Sequence, residues 1–477
     1  MSTFRSRGLV AAALVPLFIV AACGDDDDAP EEEAAEDGAD DPDDGEDDEE
    51  AAEEIHLILN DEAIAPEPVA VWIEEYVIPT FEQMMADEGR NVTVEHVASG
   101  TDDYKTQLAL DLSVGEGADV TQFDQFWTAE FAAGGLISPL TEVVGPEIEE
   151  WEGWSQIPDA VASSLAIDGA QYGIPSGTDG RVIYFNKELF AQAGLPEDWQ
   201  PTSWDEVLDA ARTLASELPD VTPMQLNAGT SMAEATTLQG FIPILLGAGG
   251  DIYADGAWQG DTPELRETLE LYATVFGEGL ADVDMQLLAD GRDQSFQAFA
   301  EGELGLLIEG DFLWRGVISE GGNFPIDNRE DVVGWALIPA QEPGAGIRGQ
   351  DFVSASGGTG YVINPNTEHP QEAWELLTFM GSYDAQVEKM EIEPRITGRN
   401  DVNEFGIADD PLLSFVAQEA LPVTWYRPGF EEYPQVSEAI TLMVENLVAG
   451  RSSVDEAAQQ FQSDLEGIVG ADNVAGG

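Results

Sequence analysis

Histidine, aspartate and glutamate often carry catalysis, but their spacing in this chain matches none of the common catalytic motifs. The histidines His56, His96 and His369 are far apart, and there is no His-Glu-x-x-His, no Gly-x-Ser-x-Gly and no Walker-type phosphate loop. The 95 Asp and Glu residues are too abundant for any pair to stand out as the acid and base of a two-carboxylate hydrolase. We therefore predict no catalytic residue, no metal and no cofactor.

Cys23 is the only cysteine, and its expected chemistry is lipidation. Two arginines precede the apolar run 8–22, as in a secretory signal, and this run is shorter than the about 20 apolar residues of a membrane-spanning helix. Val20-Ala21-Ala22-Cys23 resembles a bacterial lipobox, which implies removal of residues 1–22 and acylation of Cys23. The mature protein would then be anchored by lipid to the extracytoplasmic face of the cell membrane. The alternative is an ordinary signal peptide with an unreactive cysteine.

Residues 23–54 are predicted to form a disordered acidic tether behind the lipid. Twenty acidic residues lie within 25–54, which contains no aromatic and no β-branched residue, so this stretch has nothing from which to build a core. Fully extended, it would reach about 100 Å. Calcium binding at Asp40–Gly45 is the weaker alternative, because Pro42 occupies the third ligand position of an EF-hand-like loop.

The body, residues 55–477, carries 75 acidic against 15 basic residues, a net charge of −60, with an ordinary share of large apolar residues. Nucleic acid is excluded as a partner because phosphate binding needs clustered Lys and Arg. An acidic surface keeps a protein hydrated where salt screens charge, so we infer a salty habitat. About 423 residues exceed one comfortable core, so the body is expected to divide into two lobes.

Alternating strands and helices begin the body. The apolar patterns predict strands at 55–60, 91–97 and 118–123, with helices at 69–87 and 104–113 between them. Further strands are predicted near 181–186, 304–308, 332–338 and 360–363. Further helices are predicted near 204–216, 234–247, 264–277, 291–301, 370–381, 411–420, 434–449 and 453–468. This alternation indicates an α/β fold with helices on both faces of a sheet.

The carboxyl ends of the first three strands are the first candidates for a binding site. In open α/β sheets ligands bind beyond these ends, so Asn60, residues 99–102 and residues 124–127 are expected to converge on one cleft.

Several stretches carry a family resemblance when taken in order. The strongest are residues 172–190, with an aromatic-Asn-Lys strand end, and 201–207, Pro-Thr-Ser-Trp-Asp-Glu-Val. Weaker stretches that fit in order and spacing are 131–140, 247–251, 299–305, 356–360, 426–428 and 449–457. Over nearly all of 55–470, the chain resembles the solute-binding proteins of carbohydrate ABC importers, of the maltodextrin-binding type. Phe185 stands where tyrosine is usual, a mild departure.

This resemblance implies a two-lobe periplasmic-binding-protein fold of type II, with hinge strands near 178–181, 334–339 and 382–390. Lobe I would comprise 55–178 and 340–385, lobe II would comprise 179–339 and 386–470, and 471–477 would be a tail. The lobes would close on a sugar ligand, and the monomeric protein would present it to ABC permease subunits.

A sugar offers in-plane hydroxyls and apolar faces, so its site needs planar polar side chains beside aromatic rings. Asp124, Phe126 and Trp127 combine both types, although the two rings could simply pack the next helix. The resemblance aligns Asp179 with an acidic ligand residue, and Arg181 follows on the same side of the strand. Their alternative role is a structural salt bridge at the hinge.

Other candidates follow from the same resemblance. Phe312 occupies the slot of a stacking tryptophan, with Asp311 before it, and Trp314 is either a substitute or a core residue. Gln239 and Thr237 lie at a helix start that contributes polar contacts in relatives, or they are merely solvated. The remaining candidates are Gly357 and Gly358, which would let backbone amides approach the ligand or form a plain turn, and the cluster Trp425, Tyr426 and Arg427.

Three alternatives remain open at this point. A secreted lipoprotein glycoside hydrolase would cleave the sugar that a binding protein only holds. A binding protein of the same fold could take a non-sugar solute. A structural or adhesive surface protein would leave the two-lobe pattern and the pair Asp179 and Arg181 unexplained.

Overall fold

The computed structural model describes residues 54–63, 68–100 and 104–475, so the predicted signal segment, Cys23 and nearly all of the tether lie outside the described residues. The strands are Glu54–Ala63, Asn91–Gly100, Val120–Asp124, Ala166–Ile167, Ala170–Gln171, Gly173–Pro175, Arg181–Asn186, Thr222–Gln225, Tyr253–Ala254, Ala257–Trp258, Leu304–Gly310, Val333–Ala336, Ile338–Pro339, Phe352–Ser356, Thr359–Ile363 and Thr424–Tyr426.

The helices of seven or more residues are Ile78–Asp87, Tyr104–Ser113, Lys187–Ala193, Trp204–Glu217, Pro263–Gly277, Gly291–Ala300, Pro370–Met380, Tyr383–Ile392, Asn400–Gly406, Tyr433–Val448 and Val454–Val469. Shorter helical segments, some of them π-helical, are Pro68–Trp72, Ile73–Val77, Thr128–Ala133, Leu140–Val143, Asp159–Ala162, Thr236–Phe241, Ile242–Gly247, Val283–Gln286, Leu313–Val317, Arg329–Val332, Pro411–Phe415 and Val416–Ala420. None of the described helices is long and apolar enough to cross a bilayer.

The first lobe is built on a five-stranded sheet. Its order is Asn91–Gly100, Glu54–Ala63, Val120–Asp124, Thr359–Ile363 and Gly173–Pro175; the first three strands are parallel and the other two pair antiparallel with their neighbours. The predicted β-α-β-α-β alternation is confirmed here. Helices cover the sheet, so its central side chains are buried. Because the first three strands are parallel, their carboxyl ends lie at the same edge of the sheet.

The second lobe is built on a four-stranded sheet of order Val333–Ala336, Arg181–Asn186, Leu304–Gly310 and Thr222–Gln225. Every residue of Arg181–Asn186 and of Leu304–Gly310 is buried. This burial explains why both strands are mostly apolar and do not alternate between apolar and polar residues. Phe185 packs in this core, with its ring centroid 4.7 Å from that of Phe190. The α/β class and the two-lobe architecture are therefore confirmed.

A short ribbon joins the two lobes. Phe352–Ser356 pairs antiparallel with Ile338–Pro339 and parallel with Thr424–Tyr426. From Ser356 the chain continues through two glycines into Thr359–Ile363 of the first sheet, and residues 176–180 make the other close connection between the sheets. These connections lie at the base of the space between the lobes and position the residues described next.

Candidate functional site

A cleft of about 680 Å³ lies between the two sheets. The ends of the strands Glu54–Ala63 and Val120–Asp124 contribute to one wall, and the end of Leu304–Gly310 contributes to the other. Strand ends thus meet in the cleft, as the general placement of ligands in α/β proteins predicts. A cavity of this size and origin is the leading candidate for the binding site.

Asp124 ends its strand and starts the next turn. Its side chain accepts a hydrogen bond from the Phe126 backbone N–H at 3.3 Å, and its Oδ1 accepts one from Arg427 Nη2 at 3.2 Å. Arg427 also donates through Nη1 to Glu234 Oε1 at 3.3 Å. Since Asp124 belongs to the first lobe and Glu234 to the second, Arg427 links the two walls.

Asp179 lies on the connection between the sheets. Its Oδ1 accepts hydrogen bonds from Arg181 Nη1 and, at 2.6 Å, from the backbone N–H of Gly357. A Cβ at Gly357 would lie 2.6 Å from Arg427 Nη2, so a larger residue there would require the end of the Arg427 side chain to move. The salt bridge that was the alternative role of this pair is therefore present, while Asp179, with 18% of its side chain exposed, also lines the cleft.

The second lobe contributes Phe312, which lines the cleft directly after the strand Leu304–Gly310. Asp311 beside it is buried and accepts a hydrogen bond from Arg315 Nε at 3.1 Å. Trp314 is fully buried and donates through Nε1 to Asp410 Oδ2 at 3.0 Å. Trp314 is thus a core residue, and Phe312 is the aromatic residue of this segment that lines the cleft.

Guanidinium groups lie beside aromatic rings in the cleft. Arg427 stacks over Phe126 at 4.5 Å, and Arg292 stands 5.2 Å from the ring centroid of Phe296. Arg292 also donates two hydrogen bonds of 2.8 Å to the buried Glu309. Fixed planar donors beside apolar rings are what hydroxyl-rich ligands require.

Burial and charge shift several carboxyl groups. Burial raises the pKa of Glu62 to about 7, with Asp124 and Asp61 adding to the effect. Burial raises the pKa of Asp311 to about 6 although Arg315 opposes it. Burial also acts to raise the pKa of Asp179, but its neighbours, Arg181 first among them, outweigh burial and lower it. Asp179 therefore stays an acceptor at neutral pH.

Seven of the thirteen residues predicted to bind ligand line the cleft: Asp124, Phe126, Asp179, Arg181, Gln239, Phe312 and Gly358. Gln239 is buried and its Oε1 has no protein hydrogen-bond partner. Its neighbour Thr237 instead bonds Ser437 Oγ at 2.8 Å inside the second lobe.

The other six lie beside or behind the lining. Asn60 Oδ1 accepts a hydrogen bond from Ser99 Oγ at 3.0 Å, and Trp127 packs in the core against Phe123 and Phe131. Asp311 and Gly357 support Arg315 and Asp179, as described above.

Trp425 is buried and donates through Nε1 to Asp251 Oδ1 at 3.1 Å. Tyr426 borders a separate cavity of about 70 Å³.

Sequence reasoning missed six charged lining residues: Glu62, Glu234, Arg292, Asp293, Arg315 and Arg395. None of them is in the strand ends or motifs that guided the prediction. The one sequence signal that the three arginines carry is scarcity, because the body contains only 15 basic residues, but scarcity does not distinguish them from arginines on the surface.

Binding is the chemistry that this arrangement supports. Each arginine of the lining is paired with a carboxylate, and the aromatic rings leave apolar faces beside these pairs. Within the described ranges, no group of three or more His, Cys, Asp or Glu residues is arranged to hold a metal ion.

Comparisons with known proteins agree with this geometry. The model of the bacterial extracellular solute-binding protein family matches residues 70–387. A putative binding protein of Brucella abortus (strain 2308) is 24% identical over 423 residues, which cover 87% of this chain and 96% of that protein. An arabinooligosaccharide-binding protein of Halalkalibacterium halodurans is 26% identical over 292 residues, 58% of each protein.

Among solved structures, an ABC transporter solute-binding protein from Thermotoga lettingae bound with α-D-tagatose is similar to this chain. The TM-score is 0.72 at 24% sequence identity, and the match covers 86% of this chain and 100% of that chain. At this identity the likeness establishes the fold.

Proposed function

This chain belongs to the bacterial extracellular solute-binding protein family, and we propose that it captures a sugar or oligosaccharide between its lobes and delivers it to an ABC importer. The observation that carries the proposal is the cleft of about 680 Å³, whose lining combines planar charged side chains with phenylalanine rings. The relatives that bind arabinooligosaccharides or tagatose support it.

The cleft chemistry suits a polyhydroxylated ligand better than an apolar one. Asp179 and Gln239 offer acceptor oxygens, and the arginines offer donors that are already held in place. Phe126 and Phe312 supply apolar faces for the C–H side of a sugar ring. Pockets of roughly 300–1,000 Å³ hold ligands of drug size, so a ligand of one to a few sugar rings fits.

Delivery requires a hinge and a site outside the cytoplasm. We propose that the lobes comprise 55–178 with 340–385 and 179–339 with 386–470, and that they close about the connections near Thr178 and Gly357. Acylated Cys23 would hold the monomer at the membrane, and the acidic tether would let it reach the permease. Mass spectrometry of the membrane-extracted protein tests the anchor, because diacylation of Cys23 adds a defined mass that Cys23→Ser lacks.

Calorimetric titration of the mature protein with a panel of neutral and acidic sugars, in high salt, tests the binding proposal. Asp179→Ala should weaken binding of the sugar by about 1–3 kcal/mol, because a hydrogen bond from a ligand hydroxyl to a carboxylate is lost. Asp209→Ala is the matched control, since Asp209 is 76% exposed on a helix away from the cleft. Unchanged affinity in Asp179→Ala would remove Asp179 from the site.

The same titration separates the competing functions. Hydrolysis products of a bound oligosaccharide would replace the transport proposal with a glycoside hydrolase. Binding of an amino acid, peptide or polyamine, with no sugar bound, would keep the two-lobe binding protein and overturn the sugar.

A further inference from the structure

The basic residues of this protein are concentrated in the cleft. Five of the 15 basic residues of the body line it, against five of the 75 acidic residues. The lining is therefore locally balanced in charge inside a body with a net charge of −60. A composition that excludes Lys and Arg almost everywhere else retains arginine where the ligand would lie.

Two of these arginines each donate two hydrogen bonds to carboxylates of the protein. Arg292 holds Glu309 through two hydrogen bonds of 2.8 Å, and Arg427 bridges Asp124 and Glu234. They position the walls of the cleft.

The other three, Arg181, Arg315 and Arg395, form what we call the arginine wall. Glu393 pairs with both Arg315 and Arg395, and Asp179 pairs with Arg181. All three arginine side chains are about nine-tenths buried or more. Their guanidinium groups have given up water, so every N–H that lacks an acceptor is costly.

Two donors of the arginine wall lack an acceptor. The Nε–H groups of Arg181 and Arg395 have no hydrogen-bond partner among the described residues, although these residues are only 4% and 7% exposed. Both residues line the cleft. A guanidinium group can only donate, so the missing partner must bring an acceptor oxygen.

The charge of the wall indicates which acceptor fits. Its three guanidinium groups face three carboxylates, those of Asp179, Asp311 and Glu393. Lys389 lies buried behind them, within electrostatic reach of Arg315, Arg395 and Glu393. The three guanidinium and three carboxylate charges cancel, and burial, then Arg395, lowers the pKa of Lys389 to about 7. At neutral pH the cluster therefore carries between zero and one excess positive charge, which matches a single carboxylate better than a doubly charged phosphate.

We propose that the natural ligand is an acidic sugar whose carboxylate binds the arginine wall while its hydroxyls meet the other polar groups of the cleft. This inference rests on the proposed sugar-binding function and names its substrate class. The carboxylate oxygens would accept hydrogen bonds from the guanidinium groups of Arg181 and Arg395 where these residues line the cleft.

The first test uses the unaltered mature protein and matched ligands. Glucose, galactose and mannose are compared with their uronic acids, as single sugars and as disaccharides, and each uronic acid is compared with its uncharged methyl ester. We expect at least one uronic acid to bind about tenfold or more tightly than both its neutral parent and its ester, because charge-assisted hydrogen bonds are lost in each. Neutral sugars that bind as tightly as every uronic acid would overturn the acidic ligand and leave the sugar-binding function standing.

A second test locates the carboxylate. Arg395→Gln should weaken binding of the uronic acid about tenfold or more and change the affinity for its methyl ester less than about threefold. Arg212→Gln, an exposed arginine that pairs with Glu278 away from the cleft, should change neither. Equal loss for acid and ester would overturn the docking position.

Sugar phosphates complete the comparison. Tighter binding of a sugar phosphate than of every uronic acid would overturn the carboxylate assignment. If no sugar of any kind binds, the proposed function fails together with this inference, whereas the preceding outcomes refute only the inference.

Discussion

Glu62 should make the stability of this protein fall as pH rises from about 4.5 to about 7. The residue ends the first strand at the cleft, and its backbone N–H donates to Gln122 Oε1 at 2.9 Å. Burial, then the charges of Asp124 and Asp61, raise the pKa of Glu62 from 4.5 to about 7. The folded protein therefore binds the Glu62 proton more tightly than the unfolded chain does.

The sign follows from this difference in proton binding. Below about pH 4.5 both states hold the proton, and above about pH 7 neither does, so the free energy of unfolding decreases between these values. A shift from 4.5 to about 7, at 1.36 kcal/mol per pH unit, corresponds to a loss of about 3 kcal/mol. Glu62→Gln cannot ionise, so it should lack this loss and be the more stable protein at about pH 8.

Urea unfolding of the mature protein and of Glu62→Gln at about pH 5 and about pH 8 measures this contribution. Other titrating groups affect both proteins alike, so the difference between the two proteins isolates Glu62. Glu149→Gln, at an exposed glutamate outside the cleft, is the control and should follow the parent protein. Parallel pH profiles for the parent and Glu62→Gln would refute the reasoning.

Three further outcomes are expected. Arg427→Met should lower the free energy of unfolding by about 3–5 kcal/mol, measured by urea unfolding, because Asp124 and Glu234 lose their shared cation. Gly358→Ala should lower it by more than about 2 kcal/mol, since its Cβ would lie 2.3 Å from a backbone oxygen. Gly256→Ala, at a glycine that also has a positive φ angle but open space around it, should lose only about 1 kcal/mol. The thermal midpoint should rise from dilute buffer to about 2 M KCl, and no rise would contradict the inferred salty habitat.

The elements with strong local signals were predictable. The helix Tyr104–Ser113 and the strand Arg181–Asn186 have the predicted bounds. Their apolar periodicity and the polar residues next to them indicate where each element begins and ends. The strands Phe352–Ser356 and Thr424–Tyr426 were missed. Both strands are short, and they pair with each other although about 70 residues of chain separate them. No local sequence pattern therefore predicts them.

The site was predictable where it follows from strand ends. Asp124 and Phe126, at and after the end of a parallel strand, and Asp179, singled out by its motif, do line the cleft, and their contact with a ligand stays a prediction. Arg292 and Arg395 come from a helix start and a loop that approach the cleft only after the lobes have folded. Tertiary packing, and not any local spacing, brings them to the site.

Scarcity alone would not have separated the cleft arginines from the others. Arg212 and Arg451 also pair with carboxylates, but they lie on the surface with 41% and 54% of their side chains exposed, where such pairs contribute about 0–1 kcal/mol. Arg181 and Arg395 are less than a tenth exposed, so their charges are weakly screened and their unmet donors are costly. The same residue type in the same kind of ion pair becomes a recognition group only where the fold removes water. The binding chemistry of this protein therefore depends on burial, and burial is set by how the two lobes pack.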